Sequence, residues 1–179
     1  MKGIIFNLLE GVVTREHGED VWDDLLADAG VTGAYTSLGS YPDAELYAIV
    51  GAASARLGAD ADDVVRWFGR EALPLLAAEY PQFFAPHTSV RPFLLTLNDV
   101  IHPEVRKLYP GADVPVFDFD ADPGGDLRMG YASSRHLCSL AEGFIEAAAA
   151  HYGERVVIAH PECMKHGAPK CCLVVSLKA

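Results

Sequence analysis

Through the first two thirds of the chain, apolar side chains recur three and four residues apart, the spacing of helices with one buried face. Ile4, Ile5, Leu8, Leu9 and Val12 form the first such set, Val21, Trp22, Leu25 and Leu26 the second, and Leu46, Val50, Ala53 and Leu57 the third. Ser40-Tyr41-Pro42 reads as the start of that third helix, with proline in its first turn. Residues 61–80 continue the pattern, and Pro74 predicts a break within them because it cannot donate to the helical ladder. Tyr80-Pro81 and Pro86 predict an irregular connection. Residues 90–101 predict the next helix, with Ser89 as its N-cap.

After Tyr109-Pro110-Gly111 the period shortens to two. Residues 115–121 and 127–133 alternate as strands do, and Asp122-Pro123-Gly124-Gly125 between them predicts a hairpin turn. Residues 137–152 return to helical spacing and stop at Gly153. Residues 155–159 and 171–177 predict two more strands. Helices first, then a sheet interrupted by one helix, is an α+β layout with an antiparallel sheet.

Composition narrows the function. The 179 residues suit a single domain, and half of them are hydrophobic, enough for a core without disulfides. A net charge of −11 repels nucleic acid and anionic membranes, so neither is an expected partner. The apolar N-terminal run is interrupted by Asn7 and Glu10 and is too short to span a bilayer. The cytoplasm is the expected compartment, where four cysteines point to metal or redox chemistry.

Three constellations carry that chemistry. Tyr131, Ser133 and Arg135 alternate on the second expected strand, so a phenol, a hydroxyl and a guanidinium project together. That comb suits a ligand bearing carboxylates, because arginine grips a carboxylate with two parallel bonds; a solvated polar strand face has the same pattern. His102 ends the 90–101 helix on a largely apolar face, as an axial ligand to haem iron or as a core histidine. Pro103 predicts a kink at His102. Cys138, His160, Cys163 and Cys171 offer three thiolates and an imidazole, a set suited to tetrahedral zinc. Cys172 faces the other way on a strand and is the substitute ligand, with His166 the rival nitrogen. Asp118-x-Asp120-x-Asp122 resembles the start of a calcium loop, but Pro123 and Met129 stand where glycine and glutamate are needed. No phosphate loop, dinucleotide glycine pattern or nucleophile elbow is present.

Taken in order, Met1-Lys2-Gly3-Ile4-Ile5-Phe6, His102, Leu108-Tyr109-Pro110-Gly111, Pro115-Val116-Phe117, Tyr131-x-Ser133-x-Arg135 and Ala141-Glu142-Gly143 resemble the H-NOX (haem nitric oxide/oxygen binding) family along the whole chain. That family includes the sensor half of soluble guanylate cyclase. The resemblance implies haem b between a distal helical lobe, residues 1–65, and a proximal lobe with the sheet, residues 66–179. His102 would ligate iron, Tyr131, Ser133 and Arg135 would hold the propionates, and Pro115 would press on the porphyrin. Oxygen-binding members carry a distal tyrosine where this chain has Leu140. With Ile5, Leu9 and Phe144 around it and no donor, the resemblance implies binding of nitric oxide and carbon monoxide without a stable oxygen complex. It also implies a structural zinc site. The expected function is a nitric oxide sensor, not an enzyme. Nitric oxide would weaken the His102–iron bond, relax the haem and regulate a separate protein, a histidine kinase or a cyclic-di-GMP enzyme. The alternatives are a zinc–thiolate redox sensor, a peroxidase-like haem enzyme and a haem carrier.

Overall fold

The computed structural model describes residues 1–121 and 125–178; the expected turn at Asp122, Pro123 and Gly124 lies outside the described residues. Four helices come first: α1 (Gly3–His17), α2 (Glu19–Ala29), α3 (Asp43–Leu57) and α4 (Ala61–Glu79). Short helices α5 (Pro81–Phe84), α6 (Val90–Leu95) and α7 (His102–Leu108) follow. Strands β1 (Val116–Ala121) and β2 (Leu127–Ala132) precede α8 (Cys138–His151), and β3 (Arg155–Glu162) and β4 (Cys171–Lys178) end the chain. All strand pairs are antiparallel, in the order β1-β2-β4-β3. The α+β class therefore stands as the periodicity implied.

Several local expectations give way to packing. Pro74 does not break α4, which runs through it for 19 residues. Its ring is exposed, and α4 lies along α8 in the largest helix–helix contact of the fold, so tertiary packing outweighs the lost ladder bond. The connection at Pro81 is itself a short helix with that proline in its first turn. Ser89 occupies the N-cap position of α6 but makes no capping bond; the Glu154 carboxylate accepts from the Val90 amide instead, at 2.7 Å. His102 keeps helical angles (φ −65°, ψ −37°), and the irregularity expected there lies just upstream, in a π-helical turn at Leu97–Ile101. β3 extends past its expected end to Glu162, with a bulge between Ala159 and Glu162. It is an edge strand, where Pro161 need not donate.

Two cores result. Phe6, Leu8, Leu9, Val12, Leu46, Ile49 and Phe68 fill one, among the first four helices. Phe93, Leu94, Phe117, Met129, Tyr131, Ile145 and Leu173 fill the other, between α6, α8 and the sheet. The expected lobe boundary at 65/66 falls inside α4. That helix gives Val64, Val65, Phe68 and Ala72 to the first core and Leu73 and Ala77 to the second.

Candidate haem and metal sites

A cavity of about 470 Å³ lies where the helices meet the sheet, within the range typical of small-molecule and cofactor sites. Ile5 and Leu8 reach it from α1, Leu73 and Leu76 from α4, and Leu140 and Phe144 from α8. Leu97, Ile101, His102, Pro115, Phe117, Tyr131, Ser133 and Arg135 complete much of the rest. Leu9, expected on this wall, is instead buried in the helical core, one position round the helix from Leu8.

His102 is largely buried, and its Nδ1 has no hydrogen-bond partner. Burial, reinforced by the Arg106 charge and weakly opposed by the Pro115 backbone carbonyl, lowers its pKa to about 4. The imidazole is therefore neutral at physiological pH, as a metal ligand requires. An orphaned buried nitrogen on an apolar cavity wall is costly unless something occupies it. The Phe117 ring lies 5.8 Å from it, at 29°.

The Tyr131, Ser133 and Arg135 side chains do border the cavity together, but not as a strand comb. β2 ends at Ala132, and Ser133 and Arg135 lie in the turn that follows. The Ser133 hydroxyl accepts from the Arg135 amide at 3.3 Å, and His136 adopts a left-handed φ of 53° before the chain enters α8. Tyr131 is buried, and desolvation pushes its phenol up to about 12 despite opposing contributions from Ser133 and the Leu137 backbone. Arg135 donates from Nε to the Asp43 carboxylate at 2.8 Å and from a terminal nitrogen to the Asp113 carbonyl and carboxylate at 2.6 and 3.1 Å. Its guanidinium is thus held in place by carboxylates, the chemistry of a haem propionate. The buried neutral imidazole, the apolar walls and this polar edge together fit haem.

Two cavity phenols escaped the sequence reading. The Tyr80 and Tyr109 hydroxyls are 2.5 Å apart, and Tyr80 also donates to Glu79 at 2.8 Å. Tyr109 therefore donates to Tyr80, and both protons are committed. Ile5, Leu140 and Phe144 offer no donor.

Cys138, His160, Cys163 and Cys171 converge behind α8, each with one ligand atom within 4.8 Å of the others. The Cys138 and Cys171 sulfurs lie 3.8 and 3.9 Å from that of Cys163. β4 brings in Cys171 and turns Cys172 away toward Arg128; His166 lines an adjoining cavity of about 250 Å³ but is not in the cluster. His160 directs Nδ1 to the Glu142 carboxylate at 2.6 Å and leaves Nε2 buried without a partner. Burial raises the Cys138 and Cys171 thiols, so a cation would be needed to stabilise their thiolates. This donor set, with a carboxylate behind the imidazole, fits a tetrahedral ion. Glu142 was missed as that support, although its i+4 spacing from Cys138 places both on one helix face.

The Haem-NO-binding family matches residues 2–160. An H-NOX protein from S. oneidensis in its Fe(II)NO state is 35% identical over all of both chains, with a TM-score of 0.94. The Shewanella oneidensis H-NOX domain in its Fe(II)CO state is likewise 35% identical over 99% of each chain, with a TM-score of 0.90. An unliganded Fe(II) H-NOX protein from K. algicida is 25% identical over all of this chain and 97% of its own, also at 0.90. A sequence match over most of the length and near-superposable folds agree with the cavity and its histidine: this chain belongs to the Haem-NO-binding, or H-NOX, family of haem-binding sensor domains.

Proposed function

We propose that this protein holds one haem b through His102 and senses nitric oxide. The observation that carries the reading is the neutral, half-orphaned His102 imidazole on an apolar cavity that also reaches Tyr131, Ser133 and Arg135. Haem bound there would supply a ferrous iron able to take nitric oxide or carbon monoxide. Tyr131, Ser133 and Arg135 would grip its propionates, and Pro115 would press on the ring. Ile5, Leu140 and Phe144 exclude water and offer no proton to a bound ligand, which disfavours oxygen. Leu9 supports that wall from the core. His102 transmits the event, because tension lost there is felt first by α7 and the turn before it. The resulting shift of helices against sheet is the signal to a separate partner, a histidine kinase or a cyclic-di-GMP enzyme. No catalytic role is assigned to the chain. Cys138, His160, Cys163 and Cys171 hold a structural zinc ion in this reading.

The test is the absorption spectrum of the ferrous protein, with and without nitric oxide, in native and His102→Gly forms. A five-coordinate ferrous spectrum that changes with nitric oxide, persists in air without an oxygen adduct and is altered by His102→Gly is the expected result. A stable oxygen complex, or a spectrum indifferent to His102→Gly, overturns the proposal.

A further inference from the structure

The π-helical turn before His102 points to a residue that aims the imidazole. Within it the Ile101 amide donates to Thr96 at 3.1 Å and the His102 amide to Leu97, five residues back rather than four. Pro103 has no amide hydrogen, and in an uninterrupted α-helix its ring would press on the Asp99 carbonyl, so the wider turn relieves that clash. Each helical residue rotates the chain by about 100°. The one extra residue therefore decides which way His102 faces, and such a turn needs something to hold it.

Asn98 lies inside the turn and ties it to the sheet. Its side-chain nitrogen donates to the Phe117 carbonyl at 2.6 Å, and its side-chain oxygen accepts from the Phe117 amide at 3.3 Å. β1 is an edge strand, so one carboxamide takes the place of a missing neighbour at the outward backbone groups of a single residue. The same residue, Phe117, packs its ring 5.8 Å from His102 and 5.7 Å from Tyr131. The sheet, the π-helical turn and the imidazole thus meet at one side chain and one backbone unit.

We infer that Asn98 is a positioning residue for the axial histidine. Clamped across Phe117, it fixes the π-helical turn and seats the Phe117 ring against His102, so the sheet sets the plane in which the imidazole meets iron. The inference rests on His102 being that ligand. It gives Asn98 a role in how readily the tether yields, without contact to haem or gas.

The test compares native, Asn98→Ala, Phe117→Leu and His102→Gly holoproteins. The readouts are the ferrous iron–histidine stretching frequency, the rate at which the histidine dissociates after nitric oxide mixing, and the thermal midpoint. Asn98→Ala is expected to lower the frequency and speed histidine dissociation about tenfold, an energy of about 1.4 kcal/mol. Phe117→Leu is expected to move both in the same direction with Asn98 intact. A merely structural role would lower the midpoint and leave the vibration where it was. Folded, haem-loaded Asn98→Ala or Phe117→Leu with unchanged frequency and rate overturns the inference. An unaltered ferrous spectrum in His102→Gly instead overturns the ligand assignment beneath it. Should Asn98→Ala fail to fold, Asn98→Asp, which keeps the acceptor and removes the donor, carries the same comparison.

Discussion

Among single residues, Glu142 shows how a buried charge is made tolerable. It is 7% exposed, yet one oxygen meets the His160 ring at 2.6 Å and the other meets Arg66 at 2.8 Å. Arg66 also pairs with Glu146, so the carboxylate sits in a small network rather than alone. For a metal bound there, it would fix the His160 tautomer and aim Nε2 at the three sulfurs. Glu142→Gln is expected to weaken zinc binding about 10- to 100-fold, with the fold intact, in competition against a chromophoric chelator. At this scale the sequence named the residues that cluster but not the carboxylate behind His160, because nothing in a one-dimensional spacing says that His160 on β3 folds back over α8. It also named Tyr131, Ser133 and Arg135 for a reason that proved local: β2 ends at Ala132, and the turn closed by the His136 amide on the Ser133 carbonyl at 3.2 Å, not strand alternation, carries Ser133 and Arg135.

Elements answer to their neighbours more than to their own propensities. α4 and α8 approach so closely that a Cβ on Gly143 would stand 2.1 Å from the Arg66 carbonyl, and one on Gly69 would stand 2.7 Å from that of Leu140. Those distances leave no room for a methyl group on either helix, so both glycines serve close approach rather than flexibility. Gly143→Ala is expected to cost about 3 kcal/mol in urea unfolding, or to force the helices apart with loss of haem. An unchanged midpoint and full haem loading would contradict that packing. The same contact explains why Pro74 failed as a breaker, whereas Pro103, with the π-helical turn beside it, did disturb the helix. Periodicity made the major helices and all four strands legible. It could not show the π-helical turn, because one extra residue in a short apolar segment leaves hydrophobic spacing nearly unchanged.

For the whole molecule, the two cores are joined through α4 and α8 rather than by a linker. Leu140 belongs to the first core and Ile145 to the second, although both come from α8. Unfolding is therefore expected as one cooperative transition. Phe6→Ala in one core and Leu173→Ala in the other should each shift the same midpoint, by about 2–5 kcal/mol. Helix ellipticity and haem absorbance should follow a single curve, and two separated transitions would mean that the lobes fold independently. The overall class was readable from the order of periods. The interpenetration of the cores was not, since a uniform helical pattern in residues 61–80 carries no mark of where its burial partner changes.

Because α8 presents Leu140 and Phe144 to one chamber and Cys138 and Glu142 to the sulfur cluster, both chemistries inherit their bearings from one rod. Inserting or deleting a residue near its start would swing the two sets of side chains together by about 100°. Descendants of this sequence can substitute a side chain at one site without turning the other, but they cannot re-register one site without dragging the other along.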